Sequence, residues 1–236
     1  MQEINEKVVL ITGGSKGIGY GIAEALKREG AKVAITSRSQ SSADKAIGSL
    51  NKISGGAALG IEADVRDLES QKNAVKKVLD KWGKLDVLVA NAGLGHFASI
   101  EELTKDQWNE TIDTNLTGVF YSIKASLKAL KKTEGYFITI SSLAGTNFFA
   151  GGSAYNASKF GLTGFTQAVM LDLRQYGIKT TTIMPGSVAT EFSSGSDAEW
   201  KIQIEDIGQM TVDLLKLPPR TLPSKIEVRP TMPPKR

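Results

Sequence analysis

The sequence predicts an α/β fold, a single doubly wound parallel sheet of about seven strands with helices on both faces. Two observations predict it. Short runs rich in Val, Ile, Leu and Thr alternate with long amphipathic stretches along the chain. The short runs are nearly continuous in apolar residues, a pattern that suits strands covered on both faces. Such alternation implies right-handed crossovers between parallel strands.

The expected strands are 7–12, 31–37, 57–63, 85–90, 136–141, 179–184 and 225–229, and the expected helices are 18–29, 42–52, 68–82, 106–131, 153–176 and 205–217. In the helix over 68–82, Leu68, Ala74, Val75, Val78, Leu79 and Trp82 fall on one face at helical spacing. Gly30, Gly83 and Gly177 each follow a helix and suit its C-terminal stop. Pro185 ends the sixth strand. No repeat, low-complexity run or interdomain linker interrupts the pattern, so one domain is expected over 1–236. The Pro-rich, basic tail 230–236 reads as a loose end or an oligomer contact.

Composition excludes several functions. With 236 residues, 41% hydrophobic and 23% charged, the chain can bury a sizeable core. The absence of Cys excludes disulfide scaffolds, Cys nucleophiles, thiolate zinc sites and iron–sulfur clusters. One histidine, His96, rules out a His-rich metal site, and no metal is expected. The net charge of +4 is a mild bias toward anionic ligands and does not suggest nucleic acid. The opening MQEINEK carries no secretory pattern, and apolar runs such as VVLIT and LDVLVA are far short of a membrane span. A soluble, cytoplasmic protein without a membrane partner is expected.

The first strand ends in Thr12-Gly13-Gly14-Ser15-Lys16-Gly17-Ile18-Gly19, and a helix follows directly. Such glycines allow a tight turn, close approach of backbone to a pyrophosphate and close helix–strand packing. The helix N-terminus adds free N–H groups and a positive dipole end. Gly13, Ser15, Lys16, Gly17, Ile18 and Gly19 are therefore candidate contacts to a dinucleotide. A site preferring NAD usually carries an acidic residue after the second strand. Here Thr36-Ser37-Arg38-Ser39 has none, and Arg38 with Lys16 suits a 2′-phosphate. NADP(H) is the expected cofactor, with NAD(H) as second choice.

Further motifs follow in order: Asp64-Val65, Asn91-Ala92-Gly93, Asp113-Thr114-Asn115-Leu116, Ser142 thirteen positions before Tyr155, Tyr155 four before Lys159, and Pro185-Gly186. Together with the glycine loop they make the chain resemble the short-chain dehydrogenase/reductase family from end to end. The resemblance implies a Rossmann-type fold and hydride transfer between a nicotinamide and a carbonyl or secondary alcohol. It implies that Asn115, Ser142, Tyr155 and Lys159 are catalytic, with Asn115 holding a water that links Lys159 to solvent. By the same likeness, Lys159 would also bind the nicotinamide ribose. Asp64 and Val65 would flank the adenine, Asn91, Ala92 and Gly93 would line the cleft, and Pro185, Gly186, Val188 and Thr190 would border the nicotinamide. The helices over 106–131 and 153–176 resemble the family's dimer-forming pair, so a homodimer or homotetramer is expected.

Elementary chemistry supports the central pair. Tyr155 and Lys159 share one helix face. A phenol titrates near about 10, and a neighbouring ammonium lowers that value, making a workable general acid and base. Ser142 at a strand end can donate to a carbonyl oxygen. Ser141 is its rival, although the spacing to Tyr155 selects Ser142. Asp64 has a bland alternative as the cap of the next helix, a role for which Asp67 competes.

The substrate side is expected to be partly apolar and without charged anchors. Leu143, Phe148 and Phe149 stand on one side, and Phe192 and Trp200 lie in a lid over 191–205 that corresponds to the family's mobile segment. His96 either touches substrate or makes a surface hydrogen bond. Ala90 stands where many members carry a first Asn, and the ending Ile226-Glu227-Val228-Arg229-Pro230 differs from the Asp-Gly-Gly signature of typical 3-ketoacyl-carrier-protein reductases. That ending looks more like sepiapterin-reductase-like or broad carbonyl-reductase members. Three other functions stand beside reduction: an NADP-linked alcohol dehydrogenase working mainly in oxidation, a non-catalytic dinucleotide sensor, and a hydrolase through Ser142. The last needs His96 within reach of Ser142.

Overall fold

In the computed structural model, which describes residues 2–192 and 199–232, the chain runs β1 (Val8–Ile11), α1 (Gly17–Arg28), β2 (Lys32–Ser37), α2 (Gln40–Leu50), β3 (Ala58–Glu62), α3 (Leu68–Trp82) and β4 (Val87–Ala90). It continues through α4 (Lys105–Ile112), a π-helical turn (Asp113–Thr117), α5 (Gly118–Thr133), β5 (Tyr136–Ile140), α6 (Ser153–Leu173), β6 (Lys179–Pro185), α7 (Ile204–Lys216) and β7 (Lys225–Val228). The strands form one sheet in the order β3-β2-β1-β4-β5-β6-β7. All neighbours are parallel.

The continuous apolar runs have the reason the sequence suggests. In β1, Val9 and Ile11 enter one core layer and Val8 and Leu10 the other. Val87 and Val89 in β4 join the first layer, and Leu88 and Ala90 the second. Ile22 and Leu26 of α1 and Val212 and Leu215 of α7 close the first layer. Val75 and Val78 of α3, Leu130 of α5 and Leu162 of α6 close the second. Each residue of β1 and β4 is thus apolar whichever way it points.

Element ends differ from expectation by a residue or two where caps set them. Ser39 accepts from Ser42 N and starts α2 early, and Thr104 with Gln107 forms a reciprocal capping box on α4. A larger departure lies in the helix expected over 106–131, which breaks into α4, the π-helical turn and α5. Apolar spacing cannot show an extra residue per turn. Among the described residues, no helix is long and apolar enough to cross a membrane.

Strand order reverses between β1 and β4. The loops after them therefore leave in opposite directions and open a crevice at the carboxyl ends of the strands.

Phe137 is wholly buried in the second layer. Phe137→Ala should lower unfolding stability by about 3–5 kcal/mol in urea denaturation, as expected for an uncollapsed core cavity. A loss below about 1 kcal/mol would show that this layer repacks freely.

Candidate active site

The site begins where β1 and β4 part. Thr12 Oγ1 accepts from the backbone N–H of Asn91 and of Ala92, each at 3.1 Å. Asn91 Nδ2 returns two bonds, to the carbonyls of Thr12 and Gly13, each at 3.0 Å. Sequence reasoning missed Thr12, although its place at the strand end was the available signal. Gly13 has φ +64°, and a Cβ there would come within 2.8 Å of Ala92 Cα, so the loop needs glycine twice over. Gly19 does not face the cleft; a side chain there would strike the Asn91 amide and the Gly13 carbonyl, so it serves helix–strand packing.

Three helices nearby carry side-chain caps, whereas the N-cap of α1, Lys16, makes no such bond. The free N–H groups of α1 face an open cleft of about 2090 Å³ lined by Gly13, Ser15, Lys16, Gly17 and Ile18. The cleft is roomy enough for a dinucleotide with a small substrate beside it.

At one end of the cleft lies Arg38, with its Nη1 3.7 Å from Glu110 Oε1. Lys16 pairs with Glu191 at 2.6 Å. Asp64 and Val65 line the same end. Asp64 binds Arg66 at 2.7 Å, and that guanidinium holds its carboxyl below the usual range. Asp67 accepts from Glu69 N and caps α3, so the rival role for Asp64 falls away.

His96 does not enter the cleft. Its Nε2 lies 2.8 Å from Glu110 Oε2, and this bond is the main reason the Glu110 carboxyl titrates low. Of the two readings of His96, the hydrogen-bonding one describes the structure. Ser142 Oγ instead accepts from Ala144 N at 3.1 Å and donates to Pro185 O at 3.4 Å. The histidine a hydrolase would need is held elsewhere.

The central cluster joins the end of β5 to α6. Tyr155, Lys159 and Ser142 all line the cleft, and the Ser142 hydroxyl acts on the Tyr155 phenol. The Ser141 hydroxyl is taken by Lys159 O at 3.3 Å and Thr163 Oγ1 at 3.1 Å. Lys159 is buried, donates to Ile140 O at 3.1 Å, and is pushed down to about 8 by burial. Here the structure corrects the expected titration of Tyr155. Burial raises its phenol, and only the Ser142 bond acts in the lowering direction. Lys159 Nζ stands 5.6 Å from the Tyr155 ring centroid, and its charge does not overcome that burial.

Asn115 lies in the π-helical turn and is fully buried. Its Nδ2 donates to Leu94 O at 2.8 Å and Ser158 Oγ at 3.0 Å, and its Oδ1 accepts from Leu94 N at 2.8 Å. The side-chain amide is thus spent on protein partners and positions the loop after β4. Gly93 in that loop sits beside both groups: a Cβ there would lie 3.3 Å from Asn115 Oδ1 and 3.6 Å from Lys159 Nζ.

On the far side, Pro185, Gly186, Val188 and Thr190 line the cleft, as do Asn91 and Ala92 nearer β4. The segment after β6 is pinned where Ala189 N donates to Ile202 O at 2.8 Å. Leu143, Phe148, Phe149, Phe192 and Trp200, the expected substrate contacts, also line the cleft. Residues 193–198 of the expected lid and 233–236 of the tail lie outside the described residues. Several lining residues were not anticipated, Phe97 and Arg229 among them. The Arg229 guanidinium pairs with Glu227 at 3.0 Å.

A family model described as short chain dehydrogenase matches residues 7–200. The chain is 38% identical over 197 residues to the trans-4-hydroxycyclohexanecarboxylate dehydrogenase of Sinomonas cyclohexanicum, covering 81% of this chain and 76% of that protein. It is 36% identical over 200 residues to the 3-oxoacyl-acyl-carrier-protein reductase of Synechocystis sp., covering 84% and 81%. The alcohol dehydrogenase of the archaeon Thermococcus sibiricus, solved in complex with 5-hydroxy-NADP, superposes with TM-score 0.91 at 31% identity over 98% of this chain and all of that one (100%). The chain belongs to the short-chain dehydrogenase family and is an oxidoreductase by that membership.

The buried amine has a consequence for stability. Lys159 titrates near 10.5 when solvated and about 8 in the fold. Below pH 8 the folded chain carries the charge at full desolvation cost. From 8 to about 10 the folded state sheds a proton that the unfolded state keeps, so the cost fades as pH rises. The stability of wild type relative to Lys159→Met should therefore climb between about pH 7 and pH 10 in chemical denaturation. A difference independent of pH would show that the amine is not desolvated.

Proposed function

We propose that this protein transfers a hydride between NADP(H) and a carbonyl carbon or its secondary alcohol, with Tyr155 exchanging the proton. One observation carries the reading: Tyr155, Ser142 and Lys159 meet in the same cleft that opens on the uncapped N-terminus of α1.

The residues suit a dinucleotide. The tight glycine turn, in which Gly13 at φ +64° packs against Ala92, with the free N–H groups of α1, suits the pyrophosphate. Arg38 and Lys16 suit a 2′-phosphate, and each is held only at an exposed rim by a carboxylate. The 5-hydroxy-NADP complex of the Thermococcus sibiricus relative supports the same preference. When bound, the nicotinamide supplies or accepts the hydride.

The chain's own groups do the rest. In reduction the Tyr155 hydroxyl gives its proton to the carbonyl oxygen, and in oxidation the phenolate takes it back. Ser142 donates to that oxygen as charge develops on it. Lys159 stabilises the phenolate, and a value of about 8 leaves the amine mostly charged at neutral pH yet close to exchanging its proton. Asn115 holds the loop after β4 in place beside Lys159 through Leu94. The exposed Phe120, Phe160 and Leu171 on α5 and α6 support association as a homodimer or homotetramer.

Tyr155→Phe should lower kcat by about 10²- to 10⁴-fold while nicotinamide fluorescence still reports NADPH binding. Retained turnover would refute the proton role, and tight NADPH binding by wild type with no turnover of any carbonyl would favour a dinucleotide sensor. Arg38→Asp should weaken NADPH by roughly ten- to a hundredfold and NADH far less. Equal losses for the two cofactors would remove the 2′-phosphate assignment.

A further inference from the structure

Four aromatic rings from four chain segments meet over the reactive end of the cleft. The Phe97 ring centroid lies 5.5 Å from that of Tyr155, 5.9 Å from Phe149 and 6.0 Å from Phe192. Phe192 closes the set at 5.7 Å from Tyr155. The rings are tilted or edge-on to one another, the arrangements that aromatic pairs favour.

These rings are not core. Phe97, Phe149 and Phe192 are 52%, 49% and 46% exposed, and none of them belongs to either core layer. About half of each phenylalanine is left as apolar surface, with Phe97 and Phe192 packed on the Tyr155 ring and Phe149 on Phe97. A glycine makes the arrangement possible: a Cβ on Gly95 would lie 2.8 Å from Phe97 Cζ and 2.9 Å from Phe192 Cζ.

We propose that this aromatic wall selects ketones and secondary alcohols whose reacting carbon lies within or directly beside a rigid carbocycle, over linear chains of equal carbon number. The inference rests on the reading of Tyr155 as proton donor and names the substrate class of that same site. A ring and a chain of equal size remove similar apolar area from water. The ring also meets the phenyl faces edge-on or offset, each such contact being worth a factor of about two to ten. A chain gains less per contact and freezes its rotors on binding, each at a similar factor.

The test compares matched ketones in NADPH-dependent steady-state kinetics: 2-tetralone against 2-decanone, and acetophenone against 2-octanone. Wild type should show kcat/KM at least about tenfold higher for the ring partner of each pair. Phe97→Ala should reduce that ratio by about two- to tenfold, and Phe97→Tyr, which keeps the ring, should restore it. Gly95→Ala, which displaces both rings, should reduce it as well. Nicotinamide fluorescence checks that each variant still binds NADPH. Turnover with a ratio near one, or a high ratio that neither Phe97→Ala nor Gly95→Ala changes, overturns the aromatic selection and leaves the proton role intact. Failure of wild type to reduce any of the four ketones with NADPH, or to oxidise their alcohols with NADP+, while both cofactors bind, overturns both readings.

Discussion

The brace between Thr12 and Asn91 is the constraint on which the rest of the site depends. At the reversal of strand order, two neighbouring strands send their chains in opposite directions, and backbone N–H groups lose their sheet partners. Thr12 Oγ1 supplies an acceptor for two of them, and the Asn91 amide returns donors to two carbonyls of the opposite strand end. Four bonds thus close the floor of the crevice without filling it. Gly13 can then turn beneath Ala92, and α1 can begin with its N–H groups pointing into open space. A larger residue at Gly13 would strike Ala92, and a capping side chain at the start of α1 would take the N–H groups left free there.

Charge is arranged with the same economy. The cations of the cleft divide into two kinds. Lys16 and Arg38 stand at the rim opposite Glu191 and Glu110, where solvent makes such pairs easy to exchange for another anion. Lys159 is buried with a carbonyl as its hydrogen-bond acceptor, where burial alone lowers its titration. Desolvation acts on Tyr155 in the opposite sense, because the neutral phenol is the form that burial favours. The two groups are thus driven toward their neutral forms together, and a developing charge on either one strengthens the case for charge on the other.

The substrate end obeys a different logic. Its Phe rings come from loops outside the core layers, so their packing serves the cleft and not the stability of the sheet. The pinning of Ala189 to Ile202 sets the base of the segment that carries Phe192, while Asn115 sets the loop that leads to Phe97. A buried amide and a short backbone bridge therefore govern where an apolar ligand surface stands.

Much of this was legible in one dimension. A parallel sheet covered on both faces favours apolar residues on both sides of its inner strands, and that preference shows directly in runs such as 8–11 and 87–90. Turn chemistry and helical spacing are equally local, which is why the glycine loop and the Tyr155–Lys159 pair could be read from their intervals. Folding in three dimensions decided what spacing cannot carry. The π-helical turn that buries Asn115, the capture of His96 by Glu110 and the arrival of Phe97 and Arg229 at the cleft all depend on contacts between distant segments. So does the direction in which Tyr155 titrates, because desolvation is a property of the surrounding atoms and not of the neighbours along the chain.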